Sequence, residues 1–391
     1  MNDQPRIYLD NAATSWPKPE AVYAAVDDYQ RRCGAAAGRG AYGEAVEASR
    51  IVEHARKRLA SLIGASDPRR IIFTANGTGA LNLAIQGLLK PGDHVVTTAA
   101  EHNSVLRPLW RLEESGVIQV ARVGCDAGGC VQADDIEASI RPNTRLIALT
   151  HASNVTGALQ PASEIGDVAK RRGVMFLLDA AQSLGHLPVD VAELGVSLLA
   201  APGHKGLLGP LGTGILYVAP GVEDQLVSLQ QGGTGLQSED PRQPNVLPEK
   251  YEAGNLNVGG IAGLAAGVTW LEEFSIQNVR THERELAEQL WQGLAALPRV
   301  RLFGPQNSLQ RLGVVSIVVD SYDSQELAAM LDSAYRIQAR AGLHCAPLMH
   351  QAIGTLPIGG TLRFSLGPFN TAAEIDAVVR SVGEIASALP V

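Results

Sequence analysis

Five places in this chain pair a reactive side chain with a setting that could use it. Lys205 stands in APGHKGLLGPLGTG, between an apolar run and a glycine-rich loop. A lysine there is either a surface group that snorkels its ammonium into water or a buried, neutral amine able to condense with a carbonyl. His204 beside it and the glycines after it would let backbone approach a ligand closely. Asp179, in FLLDAAQ, ends a strongly apolar run. It reads as a helix N-cap or as the acid that keeps a ring nitrogen protonated, with Gln182 in reach of the same ligand. In TANGTGALNLAI (74–85), Gly77 and Thr78 open a helical run after a β-rich one. Backbone N–H groups and the helix dipole favour an anion at such a start. His102, in AAEHNS, follows another strand end and is either a satisfied structural histidine or a catalytic one. Cys345, in RAGLHCAPLMH (340–350), is either a packed, inert thiol or a nucleophile. Its neighbours alone leave both open.

The elements that must position these residues alternate. Apolar β-rich runs lie at 70–74, 94–100, 145–153, 174–183, 196–202 and 212–219, with helix-like stretches such as 44–64, closed by Gly64, between them. Continuous rather than alternating apolar strands predict a mostly parallel α/β sheet covered on both faces. The polar strand ends at 98–102, 151–154 and 179–182 are where such sheets bind ligands. A polar, Gly/Pro-rich segment follows at 232–260, too long for a casual connection and therefore functional or mobile. Beyond it, a helix at 263–274, strands at 312–320 and 361–367 and a helix at 324–337 predict a small α+β domain.

Composition narrows the function. The net charge is −8, which excludes a basic nucleic-acid footprint. No apolar run is long enough for a membrane span, and residues 1–19 lack the pattern of a signal peptide. The cysteines are Cys33, Cys125, Cys130 and Cys345, too few for a disulfide framework, which points to a reducing cytoplasm. CDAGGC (125–130) reads as a turn, and no metal site is expected.

The pieces YLDNAATSWPKP, NGTGALN, EHNS, HASNVTG, DAAQSLGHLPVD, GHKGLLGPLGTG, YEAGNLN and RAGLHCAP occur in this order from residue 8 to 347. Together they resemble the class V aminotransferase-fold pyridoxal phosphate enzymes, and within them the cysteine desulfurases and selenocysteine lyases, Suf-type. The resemblance implies fold type I, with a large cofactor domain over 16–260 and a small domain built from 1–15 and 261–391. It implies that Lys205 carries pyridoxal 5'-phosphate, that Asp179 pairs with the ring nitrogen and that Gln182 approaches the ring hydroxyl. His102 would stack on the ring and assist proton transfer. Gly77, Thr78 and His204 would hold the phosphate, and Asn255 of YEAGNLN would reach the neighbour's phosphate site in a homodimer. Asn154, Arg340 and Arg363 would take the substrate carboxylate.

Two positions depart from the family pattern. Pro202 replaces a hydroxyl residue before the lysine motif, and Asn255 replaces a threonine. Thr234 or backbone groups would have to compensate. The Arg340-Ala-Gly342-Leu-His344-Cys345-Ala346-Pro347 segment resembles the short Suf-type cysteine loop, with Arg340 and His344 as positive surroundings that favour thiolate. The implied reaction takes L-cysteine to alanine and a Cys345 persulfide, whose sulfur passes to an acceptor protein or thiol. The alternatives are selenocysteine lysis, another class V reaction (transamination, epimerisation or C–S lysis), and a non-catalytic scaffold on the same fold.

Overall fold

The computed structural model describes residues 6–38, 40–236 and 239–388. Residues 1–5 of the expected N-terminal segment and 237–238 of the long polar segment lie outside them. A seven-stranded sheet runs, edge to edge, Ile71–Thr74, Gly214–Val218, Leu198–Pro202, Met175–Asp179, Thr144–Thr150, His94–Thr98, Gln119–Val123. Only Gly214–Val218 runs antiparallel to its neighbours. The strands His94–Thr98, Leu198–Pro202 and Gly214–Val218 are buried along their whole length. That explains their continuous apolar reading, because helices cover both faces.

Successive residues of the central strands feed opposite cores. Ile147, Leu149, Phe176 and Leu178 pack on the face that meets the helices Gly43–Leu62 and Val258–Phe274. Leu146, Ala148 and Leu177 pack on the face that meets Gly77–Leu88 and Asn103–Glu114. Gly43–Leu62 buries Ala45, Ala48, Val52, Ala55 and Leu59, a helical stripe of mostly small residues. Val258–Phe274 backs the loop that bears Lys205. At Gly267 a Cβ would run into the carbonyl oxygen of Leu207.

A second, antiparallel sheet runs Arg340–Gly342, Thr361–Ser365, Val314–Val319, Val300–Phe303. Leu286, Leu290, Val315, Ile317, Phe364 and Val378 fill its core with the helices Ile276–Ala295 and Ala372–Ser387. The chain's beginning joins this part. Ile7–Tyr8 pairs in parallel with Ile337–Gln338, and Asp10 bridges to Ser365.

Three expectations need adjusting. The edge strand Gln119–Val123 was not foreseen, because its outward residues are exposed and its apolar pattern is weak. The run at 145–153 stops as a strand at Thr150, and that at 174–183 stops at Asp179. Both then turn into the site. The long polar segment has no helix or strand among its described residues before Val258, yet its end is anchored. Tyr251 donates its hydroxyl hydrogen to Leu226 O (2.9 Å), and Glu252 forms a buried, two-pronged ion pair with Arg56 (2.8 Å). Glu252 also accepts the Phe73 N–H at 2.6 Å, which ties the segment to the strand before the phosphate-type helix.

Breaking that pair strands a buried guanidinium. Glu252→Gln is expected to lower the unfolding free energy by about 3 kcal/mol. Urea denaturation measures it, and a change below about 1 kcal/mol would mean that water reaches Arg56.

Candidate active site

The carboxyl ends of four adjacent strands converge on one cavity of about 90 Å³. Register sets this edge: Thr150 stands opposite Asp179, and Asp179 opposite Ala200. The ladder continues one step further through His151 N–H to Asp179 O and Ala180 N–H to Ala200 O, both 2.9 Å. Asp179 is 3% exposed, and its carboxylate accepts the Ala181 N–H at 3.0 Å. Burial pushes its pKa up, while that hydrogen bond and the Lys205 charge pull it back.

Lys205 leaves the next strand through a tight loop. Gly203 N–H bonds Thr213 O, Gly209 N–H bonds Gly203 O, and Leu208 N–H bonds Lys205 O, each at 2.8 Å. Burial drops the Lys205 pKa from 10.5 to about 8. Asp179 opposes that drop, and the charges of Arg363 and Arg340 add to it. The snorkelling alternative is therefore set aside, since the amine is held inside the site with a pKa low enough to release its proton just above neutral pH.

His102 caps the helix Asn103–Glu114. Its Nδ1 accepts the Ser104 N–H at 3.0 Å, so the ring hydrogen sits on Nε2. Burial, then Lys205, lowers its pKa to about 4, which leaves it neutral. Ser104 Oγ lies 2.9 Å from Nδ1 and 2.8 Å from Thr78 Oγ1, joining the histidine to the neighbouring helix start. Glu101, one residue before, is wholly buried. It accepts Thr98 Oγ1–H (2.7 Å) and the Thr150 N–H (3.0 Å), and burial raises its pKa to about 8. It clips the ends of the strands His94–Thr98 and Thr144–Thr150 together, one residue before His102.

The anion seat is the start of Gly77–Leu88. Asn76 caps it by accepting the Gly79 N–H at 2.8 Å, leaving the N–H groups of Gly77 and Thr78 without an intrahelical partner. A Cβ on Gly77 would lie 3.1 Å from Pro202 Cδ. Pro202 thus closes over the glycine, and the hydroxyls nearby are those of Thr78 and Ser104. His204 Nδ1 is buried with no hydrogen-bond partner among the described residues, and its ring is held neutral with a pKa of about 4. Unpaired N–H groups, an unpartnered ring nitrogen, an easily deprotonated amine and a buried acid fit an aromatic aldehyde that carries a phosphate.

Around this cavity lie Lys205, Asp179, Gln182, His102, Gly77, Thr78, His204 and Asn154. Gln182 Nε2 donates to Ala12 O at 3.0 Å. Arg363, 1% exposed, is one bond further out: its Nη1 donates to Asn154 O (2.9 Å) and its Nη2 to Asp10 Oδ1 (2.7 Å). Arg340 pairs in register with Arg363, and its charge is felt at Lys205 and His102. Cys345 is exposed, and its carbonyl accepts the Asn103 N–H at 2.7 Å. Asn255 lies apart, lining a separate cavity with Phe73 and Tyr251. Thr234 does not line the Lys205 cavity either. The expectation of His344 as a positive neighbour of Cys345 is corrected. Burial, with Arg363 and His350 nearby, holds its ring neutral. Asp10, Ser104 and Glu101 were not foreseen as site residues. The only signal was their place inside quoted motifs, since Asp10 with Arg363, Glu101 with Thr150 and Ser104 with Thr78 are joined across distant parts of the chain.

The model of the class-V aminotransferase family matches residues 7–378. A probable cysteine desulfurase of Methanothermobacter thermautotrophicus is 38% identical over 97% of this chain and 94% of its own length. Among solved structures, an apo cysteine desulfurase from Thermococcus onnurineus NA1 is similar with a TM-score of 0.93 and 35% identity. It covers 98% of this chain and 95% of that one. The Escherichia coli cysteine desulfurase CsdA is similar with a TM-score of 0.88 and 30% identity, over 99% and 96% of the two chains.

The lowered Lys205 pKa has a direct readout. In cofactor-free protein, reductive trapping of a small aldehyde on Lys205 should rise with pH through a midpoint of about 8. Peptide mass spectrometry across pH 6–11, as an order-of-magnitude window around the ordinary lysine value of about 10.4, measures it. A midpoint at that ordinary value would show that burial leaves the amine unperturbed.

Proposed function

Because this chain belongs to the class-V aminotransferase family, we propose that it is a pyridoxal phosphate-dependent cysteine desulfurase. It converts L-cysteine to L-alanine and retains the sulfur as a persulfide on Cys345. The observation that carries this reading is the exposed Cys345 thiol, on a turn hydrogen-bonded to Asn103, the residue next to His102. The relatives and solved structures above support the same activity.

When bound, the cofactor supplies an electron sink at the substrate's α-carbon. Lys205 would hold it and would accept the substrate's α-proton on Nζ, which a pKa of about 8 suits. Asp179 serves the ring nitrogen and Gln182 the ring hydroxyl. Gly77, Thr78 and His204 take the phosphate. Neutral His102, with its hydrogen on Nε2, would face the bound ring as a hydrogen-bond donor. Asn154, Arg340 and Arg363 orient the substrate carboxylate. The Cys345 thiolate attacks the substrate sulfur. A sulfur–sulfur bond forms, the carbon–sulfur bond breaks, and its electron pair passes to the carbon, which gains a proton as alanine forms. A thiol or an acceptor protein then attacks the persulfide and carries the sulfur away.

The chain is further read as a homodimer, with Asn255 serving the neighbour's phosphate site. Its distance from the Lys205 cavity supports this. A cleft of about 840 Å³ beside Tyr29, Ile51 and Trp270 offers surface for such a contact. The boundary expected at residue 260 moves to 274, because the helix Val258–Phe274 packs in the core of the seven-stranded sheet. The cofactor domain is read as 16–274 and the small one as the N-terminal segment with the chain after 274, supported by the two separate sheets and the pairing of Ile7–Tyr8 with Ile337–Gln338. No helix among the described residues is long and apolar enough to cross a membrane. Four free cysteines support a reducing cytoplasm.

The test is a paired assay with cofactor, L-cysteine and a reductant. Wild type should release alanine and sulfide one to one. Cys345→Ser should lose both by about a hundredfold or more. Undiminished alanine from the variant would move another class V reaction to the front. Lys205→Ala should abolish the absorbance change that the wild type shows on taking up the cofactor.

A further inference from the structure

The turn that carries Cys345 is conformationally costly. His344 has φ +47° and Cys345 φ +60°, two consecutive left-handed residues that both bear a Cβ. Each costs about 1–2 kcal/mol, so the pair persists only where its surroundings over-determine it. Two hydrogen bonds do so, and they fall on consecutive carbonyls. Asn154 Nδ2 donates to His344 O at 2.6 Å, and the Asn103 main-chain N–H donates to Cys345 O at 2.7 Å. Inside the turn, Ala346 N–H bonds Leu343 O at 2.9 Å. Both donors are themselves held. Asn154 O accepts Arg363 Nη1, and Asn103 opens the helix capped by His102.

We propose that Asn103, through its main-chain N–H, and Asn154, through its side-chain amide, are positioning residues that hold the Cys345 turn in its left-handed form. One bond refers the thiol to the helix of His102, the other to the guanidinium of Arg363. The use made of the thiol rests on the desulfurase reading, while the holding of the turn does not. One amide hydrogen of Asn154 is thereby committed to His344 and unavailable to a substrate carboxylate.

Asn103→Pro isolates the backbone bond. Asn103 is the first helical residue, where proline is tolerated, and His102 already has the extended conformation (φ −74°, ψ 155°) that a following proline requires. Asn154→Ala removes the other bond. In cofactor-free protein, the Ala346 amide should exchange its hydrogen at least about tenfold faster in either variant. In loaded enzyme, kcat for L-cysteine should fall by about ten- to a hundredfold in both variants with the cofactor absorbance unchanged. KM should stay within about twofold of wild type in Asn103→Pro and rise in Asn154→Ala, which also loses a carboxylate contact. Wild-type exchange in both variants would overturn the proposal. For Asn154→Ala, a raised KM at unchanged kcat would also overturn its part, assigning it to the substrate instead. Should Asn103→Pro fail to fold, Asn154→Ala decides alone. Should even the wild type make no alanine, the desulfurase reading fails, and the exchange rates still decide whether the turn is held as proposed.

Discussion

An amine and a carboxylate share the buried end of a sheet whose central strands are covered by helices on both faces. Burial penalises the charge on Lys205 and the charge on Asp179 alike, and each partly restores the other. Neither could sit there alone without losing its charge. The rest of the architecture serves that pairing. Strand register places Asp179 level with Thr150 and Ala200. The loop bonds among Gly203, Gly209 and Thr213 return Lys205 to the same edge, and the glycine-bearing helix Val258–Phe274 closes its back.

Around that pair, neutrality is a recurring outcome. His102, His204 and His344 are all driven below their ordinary pKa by burial, with Lys205 or Arg363 adding to the shift. Glu101 is driven the other way and keeps its proton near neutral pH. The fixed positive charge is concentrated in two arginines, and Arg363 is balanced by Asp10. A site arranged in this way presents hydrogen-bond donors with little competing charge, which suits an anionic ligand whose own charges must dominate.

Much of this was legible in the sequence, and the boundary of legibility is physical. Lys205, Asp179 and Gly77 could be read because each stands at the polar end of a continuous apolar run, a local pattern that a two-face-covered sheet imposes. Cys345 could be read only through the motif around it, since its exposure on a left-handed turn is set by contacts far away. Asp10 with Arg363, and Asn154 with His344, join residues 353 and 190 positions apart. No local periodicity encodes such pairs. Gln119–Val123 escaped notice for the opposite reason: as an edge strand it has too little burial to look like a strand. His344 shows the remaining gap. Its identity suggested a cation, but burial, which sequence does not display, made it neutral.

The pairing of Ile7–Tyr8 with Ile337–Gln338, and of Asp10 with Arg363, makes an early segment wait for one more than three hundred residues later. On the ribosome the seven-stranded sheet has all of its strands once residue 218 has emerged. Ile7–Tyr8 then has no strand partner until more than a hundred further residues follow, as counted from Val218 to Ile337. The strand bearing Arg363 is later still. Birth order therefore separates assembly from competence: the cradle around Lys205 can close on a nascent chain, while Arg363, its counter-ion and the thiol turn come together only after residue 363 has emerged. A stalled or truncated chain would carry the reactive lysine without the thiol turn, and so would lack the nucleophile that the proposed chemistry requires.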